Sequence, residues 1–380
     1  MSKIKVLHVA TLLSPTGEFG GPVRVAMNQM NYLVGAGYDI EFCATTRGNP
    51  DLQKSVQGAK FTTRPAKTLG VRFGFSGTHS FSLYVDAWKS LRGASLVHLH
   101  LGRDLVTAPI GLLALLMRKK IFVQTHGMIT PDSRRVSKLF DFLFTNPILR
   151  GSTNVAYLTE VERDQLRVLG VPEWKLVGLR NGVPLSPSVS EPRGEVPDHP
   201  EVLFLARLHE RKRPVLFVEV AGSMRDSMKV SPKFSLVGPD EGEGAAVESA
   251  IERLQLDNVV HWEGPLEPER IADRMKESAV YVLPSVDEPF GMTVLEAASV
   301  GVPVVVTESC GLAGDVRSFD AGKVAADNST SIANAIQEVL TISSRYRELS
   351  AGALQLARHY SMSQVGSKLE QYYENLLKED

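Results

Sequence analysis

The residues best suited to chemistry lie in Pro284–Ala297, a segment with two acidic residues eight positions apart. Glu288 precedes a predicted helix, and Glu296 lies about one turn inside it. The N–H groups at such a helix start attract anions, and two carboxylates beside them could hold the hydroxyl groups of a nucleotide sugar. Two ordinary interpretations remain open. Thr293 and Glu296 fit the Thr-x-x-Glu capping box, and Glu288 fits an acidic residue at a helix start.

A second group of charged residues follows the predicted strand Glu201–Ala206. Arg207 and Lys212 lie five positions apart, just before a predicted helix. A planar guanidinium and a compact ammonium at a helix start suit a diphosphate. The alternative is a solvated basic loop, because Arg211 and Arg213 lie in the same stretch.

Histidines follow two predicted strands in the first half of the chain. His126 comes just after Ile121–Gln124, so it can reach a ligand at the carboxyl edge of a parallel sheet, although a structural role is the alternative. His98 and His100 share one face of a strand, as a pair of metal ligands would. A zinc site needs a third ligand, and no Cys/His run nearby supplies one, so we expect a buried role for both.

Two glycines stand at another predicted helix start. Gly20 and Gly21 would let an anion approach backbone N–H groups, although a flexible turn explains them equally well. The segment Thr11–Pro22 around them is not a G-x-G-x-x-G dinucleotide fingerprint.

Apolar runs typical of strands alternate with helical patterns and must position these residues. The predicted strands are Ile4–Ala10, Ile40–Ala44, Leu96–Leu99, Ile121–Gln124, Val155–Leu158, Glu201–Ala206, Phe234–Val237, Val259–Trp262, Val280–Leu283 and Val304–Thr307. The predicted helices are Val23–Val34, Leu105–Met117, Arg134–Phe144, Glu160–Leu169, Pro214–Met224, Ala245–Leu254, Pro268–Lys276 and Met292–Val300. This alternation predicts an α/β protein with two doubly wound parallel sheets.

A proline-rich stretch separates the two series of elements. Residues 184–200 contain five prolines and predict a linker between domains over residues 1–185 and 200–360. The tail from about Ser329 is predicted to be helical, and a helix over about residues 361–380 is long enough to pack back onto the first domain.

Composition supports a globular chain with room for two domains. The 380 residues are 43% hydrophobic and 22% charged. The longest near-continuous apolar stretch, Pro109–Met117, is about half of what a membrane helix needs, and the N-terminus has no apolar signal region. We therefore expect a cytoplasmic protein. Its two cysteines, Cys43 and Cys310, exclude a disulfide framework.

The net charge of −1 hides a division between the halves. Residues 1–185 contain 23 Lys and Arg against 12 Asp and Glu, and the remainder contains 19 against 31. The basic half could face an anionic membrane or acceptor, or simply carry a solvated surface. Within it, Ser133–Phe144 is basic at one end and aromatic at the other, which suits a membrane-surface helix or a sheet-covering helix. Phe61–Tyr84 is interpreted as a long mobile loop near the acceptor, and no nucleic-acid-binding motif is present.

In their order along the chain, these motifs resemble the family-4 retaining glycosyltransferases of the GT-B fold. The resemblance spans nearly the whole chain and rests on Gly20-Gly21, His126-Gly127, Asn181-Gly182-Val183, Arg207 with Lys212, Val237-Gly238, and Glu288-Pro-Phe-Gly with Glu296. Gln124–Met128 is similar to bacterial polysaccharide-assembly members. In Cys310–Asp315 an aspartate replaces the family's usual glutamate, so no role is assigned to Asp315.

The resemblance implies two Rossmann-like domains that face across a cleft, with the acceptor on the first and the donor on the second. It implies that Arg207 and Lys212 bind the diphosphate, that Glu296 binds the ribose and that Glu288 contacts the donor sugar. His126 would lie near the reacting centre and, with Glu288, Arg207 and Lys212, forms the expected catalytic set. The remaining donor-binding residues that it implies are Gly20, Gly21, Phe290, Gly291, Met292 and Thr293.

The activity implied is retaining transfer from a nucleotide-diphosphate sugar to a glycan or lipid-linked glycan in surface polysaccharide assembly. UDP-sugars are the first expectation and GDP-sugars the second. The chain contains no Asp-x-Asp motif, so neither a metal nor another cofactor is expected. Two alternatives stay open, a nucleotide-sugar epimerase of the same fold and a non-catalytic binding module for nucleotides or glycans. The missing glycine fingerprint argues against a nicotinamide dehydrogenase.

Overall fold

A computed structural model describes residues 3–14, 21–48, 56–69, 76–185, 191–225 and 232–378. The chain divides into two compact units. The first unit comprises Met1–Gly182 and Met362–Asp380, and the second comprises Val183–Ser361.

The first unit is built on a parallel sheet of seven strands. In chain order the nine described strands of the unit are β1 (Lys5–Leu13), β2 (Asp39–Thr46), β3 (Lys60–Pro65), β4 (Lys67–Thr68), β5 (Thr78–His79), β6 (Leu96–His100), β7 (Lys120–Gln124), β8 (Asn154–Tyr157) and β9 (Leu176–Gly178). The sheet has the order β3-β2-β1-β6-β7-β8-β9, while β4 and β5 form a separate antiparallel pair. The strand order reverses between β1 and β6, where ligands of open α/β sheets bind.

Helices connect these strands, and two predictions need correction. The helices are Gly21–Gly35, Phe81–Gly93, Thr107–Leu116, Arg135–Phe140, Asn146–Gly151, Glu160–Val168 and Met362–Lys378, with a π-helix over Asp141–Thr145 and a 3-10 turn over Glu173–Lys175. The predicted loop Phe61–Tyr84 is wrong over its described part, because it contains most of β3, both strands of the antiparallel pair and the start of a helix. The single helix predicted over Arg134–Phe144 is instead an α-helix that continues into the π-helix.

The helix Met362–Lys378 completes the core of the first unit. Its Leu369 and Tyr373 are fully buried against residues of β1, β2 and β6. Gly366 lets this helix approach closely, since a Cβ at that position would lie 2.4 Å from the ring of Tyr32. The Tyr32 hydroxyl donates to Glu370 at 2.7 Å, one turn further along the same helix.

A buried carboxylate joins three strands and a helix of the first unit. Glu41 forms ion pairs with Lys5 at 3.0 Å and Lys60 at 2.9 Å, and it accepts hydrogen bonds from Thr62 at 2.8 Å and Ser90 at 2.6 Å. Burial alone would raise the pKa of Glu41, but these hydrogen bonds outweigh it and lower the pKa to about 2. The charge therefore persists at neutral pH and depends on the folded arrangement.

The second unit is a six-stranded parallel sheet covered by helices. Its strands are β10 (Glu201–Leu205), β11 (Lys233–Val237), β12 (Val260–Trp262), β13 (Val280–Leu283), β14 (Val304–Thr307) and β15 (Gly322–Ala325), in the order β12-β11-β10-β13-β14-β15. Its helices are Pro214–Met224, Gly244–Arg253, Ile271–Glu277, Met292–Ser299, Ala313–Ser318, Ser329–Thr341 and Ser343–His359, with 3-10 turns over Glu210–Lys212 and Pro268–Arg270. Here the strand order reverses between β10 and β13, so the loops after these strands flank the expected ligand position.

Candidate functional site

Backbone hydrogen bonds join the loops that follow three strands of the second unit. The N–H of Val286, after β13, donates to the carbonyl of Arg211, after β10, at 2.9 Å. The N–H of Gly311, after β14, donates to the carbonyl of Glu288 at 2.8 Å. A Cβ at Gly311 would lie 2.1 Å from the carbonyl oxygen of Pro289, so only glycine fits this approach. The carboxyl edge of the sheet thus presents its charged side chains on loops that brace one another.

The loop after β11 packs equally closely against the loop after β10. Gly238 has a φ of +148°, and a Cβ there would lie 2.0 Å from the carbonyl oxygen of Ala206. In the next residues Glu241 forms an ion pair with Arg207, at 2.5 Å between Oε2 and Nη1. The structure therefore places the guanidinium of Arg207 at the junction of these two loops.

Lys212 and Glu288, two residues from different predicted motifs, form a direct ion pair. Lys212 ends the 3-10 turn before the helix Pro214–Met224, and its Nζ bonds Oε2 of Glu288. Their side chains are 14% and 9% exposed, so the pair is largely removed from water. Glu288 therefore does not act merely as an acidic residue that favours a helix start, because its charge is directed at the lysine.

Glu296 is buried one turn into the helix Met292–Ser299, and the capping-box interpretation of this residue is wrong. That helix begins after Gly291, which has a φ of +89°, so Thr293 lies inside the helix. The hydroxyl of Thr293 accepts a hydrogen bond from Tyr281 at 2.6 Å. Burial, and then the charges of Glu288 and Glu296, raise the pKa of Tyr281 well above its usual value. The phenol is therefore a neutral donor beside the two carboxylates.

The residues around this helix start are fixed by packing. Phe290 is buried, and its ring meets that of Tyr360 edge-on at 5.8 Å between centroids. The following residues, Gly291, Met292 and Thr293, present the first N–H groups of the helix, which lack acceptors within the helix itself. Together with Lys212 and Glu296 they form a set of groups able to bind an anion and hydroxyl groups at one sheet edge.

In the first unit, the predicted residues are Gly20, Gly21 and His126. Gly20 is outside the described residues, while Gly21 begins the helix Gly21–Gly35, where a Cβ would meet no described atom within 4 Å. His126 follows β7 with a φ of 53°, in the left-handed region that a non-glycine residue rarely adopts. The carboxylate of Glu162 stabilises this turn, accepting from the N–H of Gly127 and the hydroxyl of Thr125, each at 2.5 Å.

Sequence reasoning missed Glu162, although a local signal exists. Thr159 caps the helix Glu160–Val168, and the Thr-x-x-Glu spacing from Thr159 to Glu162 is a capping-box signature. The carboxylate also accepts a hydrogen bond from the N–H of Leu158 at 2.6 Å. It therefore joins the residues before its own helix to the loop after β7. Burial raises the pKa of Glu162, and its hydrogen bonds act in the opposite direction.

Four histidines are brought together inside the first unit. His8 Nδ1 lies 3.2 Å from His100 Nε2, and His100 Nδ1 lies 2.8 Å from His126 Nε2. His98 Nδ1 lies 2.5 Å from the hydroxyl of Tyr373. Burial lowers the pKa values of His8 and His126 to about 3, and it lowers those of His98 and His100 well below the usual value. All four rings are therefore neutral at physiological pH.

His8 is the third imidazole that the sequence interpretation of His98 and His100 lacked. One ligand atom from each of the three lies within 4.8 Å of the others, which could accommodate a metal ion. Among the described residues, however, no carboxylate forms a hydrogen bond or ion pair with these rings. A divalent charge among neutral ligands in a dry core would be costly. The imidazoles also bond to one another, so the predicted buried role fits better.

Apolar side chains project from the helix Arg135–Phe140 and the π-helix that follows. We call Val136, Leu139, Phe142 and Leu143 the 136–143 patch. Val136 is 73% exposed and Phe142 is 72% exposed, and the other two are also exposed. Phe140 and Phe144 on the other side of the segment pack against the core of the first unit, so the alternative of a sheet-covering helix stays open for that side. Within the described residues, no helix combines the length and apolar character needed to span a bilayer.

Comparisons with known proteins agree along the chain. A family model described as "Glycosyl transferase 4-like domain" matches residues 20–182, and one described as "Glycosyl transferases group 1" matches residues 188–355. D-inositol 3-phosphate glycosyltransferase of Rhodococcus erythropolis is 28% identical over 178 residues, 45% of this chain and 40% of the relative. The enzyme of the same name from Paenarthrobacter aurescens is 33% identical over 32% of this chain and 30% of its own. The chain thus spans less than half the length of these curated relatives.

Solved structures resemble the chain over nearly its full length. Sucrose-phosphate synthase from Thermosynechococcus elongatus has a TM-score of 0.75 at 19% identity, with both chains fully covered. Anabaena HepE in complex with UDP and glucose has a TM-score of 0.72 at 16% identity, covering 98% of this chain and 100% of the other. At these identities the likeness establishes the fold alone, and the predicted GT-B fold with two Rossmann-like parallel-sheet units is confirmed.

Proposed function

Because the chain belongs to the family-4 glycosyltransferases of the GT-B fold, we propose that it transfers a sugar from a nucleotide-diphosphate sugar to a glycan or lipid-linked glycan. A UDP-sugar is the first choice of donor, and a GDP-sugar the second. The observation that carries the proposal is the buried pair of Lys212 and Glu288 beside Glu296 and the start of the helix Met292–Ser299. The cation and the helix N–H groups suit the diphosphate of such a donor, and the two carboxylates suit its hydroxyl groups.

Each group in the second unit has a role set by its chemistry. The diphosphate is held by Lys212, by Arg207 and by the N–H groups of Gly291–Thr293, since cations and helix N-termini both favour anions. Glu296, fixed inside the helix, accepts hydrogen bonds from the ribose hydroxyls. Glu288 accepts from hydroxyls of the donor sugar and forms an ion pair with Lys212.

We propose a front-face reaction that retains the anomeric configuration. The bond from the anomeric carbon to the diphosphate oxygen breaks, and the acceptor oxygen bonds that carbon from the same face. The acceptor's proton passes to the leaving diphosphate. Charge on the departing oxygen is stabilised by Arg207, Lys212 and the helix N–H groups, and one well-aimed donor of this kind is worth about 3–4 kcal/mol. His126, on its constrained turn, hydrogen-bonds the donor sugar.

Nucleotide binding tests the donor site directly. In a thermal-shift panel of UDP, GDP, ADP and CDP, we expect one nucleotide to stabilise the protein, by about 2.7 kcal/mol at a hundredfold excess over its Kd. Arg207→Ala and Glu296→Ala should lose that shift. Arg211→Ala is the matched control, because it removes an exposed cation from the same loop and keeps the backbone contact to Val286. A folded wild-type protein that responds to none of them would overturn the donor assignment.

Product analysis tests the reaction itself. With the sugar donor of the responding nucleotide, NMR of the product's anomeric proton reports its configuration. We expect the configuration of the donor to be kept. Inversion would exclude the front-face mechanism, and donor isomerisation without transfer would favour the epimerase alternative.

We further propose that the first unit docks on an anionic membrane surface through the 136–143 patch. Val136, Leu139 and Leu143 follow a helical spacing, and Phe142 extends the apolar face. Arg135 and Lys138 are exposed in the same stretch, so cations border the apolar side chains. This combination is typical of helices that lie in the headgroup region, and it suits an acceptor attached to a lipid.

Liposome sedimentation tests this docking. We expect binding that increases with the fraction of anionic lipid and decreases in Leu139→Ser/Phe142→Ser. Val168→Ser is the control, since Val168 is equally exposed elsewhere in the first unit. Binding that does not depend on anionic lipid, or that the control reduces as strongly, would remove the proposal.

A further inference from the structure

The hydrogen bonds among three buried histidines leave each ring little freedom. A neutral imidazole has one N–H and one acceptor nitrogen. Because His8, His100 and His126 are all neutral, every contact between them needs a proton on one side and a lone pair on the other. Both contacts join Nδ1 of one ring to Nε2 of the next.

Only two arrangements satisfy both contacts. Either all three rings carry their proton on Nε2, or all three carry it on Nδ1. In the first arrangement Nδ1 of His126 is an acceptor, and in the second it is a donor. The choice made by one ring therefore fixes the choice of the other two.

The three hydrogen-bonded rings form a row from His8 to His126, and the outward nitrogen at each end of this row is unpartnered within the described residues. His8 Nε2 and His126 Nδ1 are both buried and have no hydrogen-bond partner there. The inner end lies in the core near His98, with ring centroids 4.6 Å apart. The outer end belongs to the loop after β7, at the carboxyl edge of the sheet. Of the two ends, only the outer one lies at the sheet edge where ligands of open α/β folds bind.

We propose that His8 and His100 are positioning residues that fix the tautomer of His126, so that the three rings present one donor or one acceptor to the substrate as a unit. This proposal rests on the proposed function, because it gives His126 a sugar hydroxyl as its partner. A hydroxyl oxygen that accepts from Nδ1 selects the all-Nδ1–H arrangement, and one that donates selects the other. Binding of the ligand at His126 then changes the tautomer of His8, two rings away.

Histidine NMR on the intact chain tests the coupling without any need for activity. The nine histidines can be labelled with 15N, and the nitrogen shifts report which nitrogen carries the proton. Single His→Asn variants assign the resonances. We expect His8, His100 and His126 to have equal tautomer populations and to change together when the sugar donor is added. Opposite tautomers in any two of them, or a change confined to His126, would overturn the proposal.

Kinetics separate positioning from simple core packing. His100→Phe should lower kcat roughly tenfold with little change in the KM for the donor, as expected for the loss of one aligned hydrogen bond. His100→Asn should recover part of that loss, because its amide can still reach His126 from the position of Nδ1. His98→Phe is the control, because His98 is equally buried, lies two residues away on the same face and takes no part in the hydrogen bonds among His8, His100 and His126. An equal loss of kcat in His98→Phe would assign the effect to packing.

The two failures are distinguishable. If the wild-type protein transfers no sugar, the proposed function falls, and the NMR measurement still decides whether the three rings are coupled. If transfer occurs but the tautomers are independent, only the coupling is wrong.

Discussion

The ion pair of Lys212 with Glu288 can be tested by a double-mutant cycle. Lys212→Met leaves the Glu288 carboxylate buried without its cation, and removing one partner of a buried pair costs about 3–5 kcal/mol. The small remaining exposure of Lys212 favours the lower value, about 3 kcal/mol. Glu288→Gln should cost about as much, because it strands the ammonium. The double variant Lys212→Met/Glu288→Gln strands no charge, so we expect it to cost only about 1 kcal/mol.

Unfolding of the second unit must be measured alone, because two units need not unfold in one transition. Trp262 makes this possible, since its indole donates to the carbonyl of Gly238 within the second unit at 3.0 Å. Trp88 and Trp174 lie in the first unit and are exposed, so both can be changed to Phe as a background. Urea unfolding followed by the remaining tryptophan then gives the free energies for the cycle.

Two results would refute this reasoning. If the costs of the two single variants simply add in the double variant, the side chains are not energetically coupled. The second result concerns affinity. Glu288→Gln removes a negative charge beside the proposed diphosphate position and releases Lys212, so it should bind the nucleotide that stabilises the wild-type protein about tenfold more tightly. Weaker binding of that nucleotide by Glu288→Gln would mean that Lys212 does not bind the diphosphate.

Three further predictions concern stability. Glu41→Gln should destabilise the first unit by about 3 kcal/mol at pH 7. The difference in unfolding free energy between the variant and the wild type should vanish as pH falls from about 5 towards 2, because the pKa of the native carboxylate is about 2. Urea unfolding at several pH values measures this difference. Gly366→Ala should cost about 1–3 kcal/mol, since its Cβ would overlap the ring of Tyr32, and the loss should appear in the first unit's transition only. Gly238→Ala should cost at least about 2 kcal/mol in the second unit, as followed by the fluorescence of Trp262, because its Cβ would collide with the backbone of Ala206.

Periodicity alone predicted most of the two sheets. Strands such as Val280–Leu283 and Val304–Thr307 are buried on both faces and appear as continuous apolar runs, so their bounds match the sequence prediction. The missed strands of the two sheets, β3, β9 and β15, carry no such run. β3 is a half-exposed edge strand with a polar sequence, and β9 has three residues. Their pairing is set by neighbouring strands rather than by their own composition.

The charged residues of the second unit were predictable as a group, because they follow strands and precede helices. Their partners were not. That Lys212 bonds Glu288, and Arg207 bonds Glu241, depends on how three loops meet at the sheet edge. Likewise, the role of His8 follows from β1 lying beside β6, a pairing between residues about ninety positions apart. A local sequence pattern cannot predict contacts between residues so far apart along the chain.

The helix Met362–Lys378 also has a consequence for biosynthesis. Strands β1 to β9 emerge from the ribosome first, yet the core that they form includes Leu369, Tyr373 and Leu376. All of Val183–Ser361 must be translated before these side chains appear, which takes on the order of ten seconds or more at about 5–20 residues per second. During that interval the core of the nascent first unit lacks these side chains, whereas the second unit is contiguous and needs no later segment. The unit encoded first is therefore the last to be completed, and it is the one for which we expect a need for chaperones.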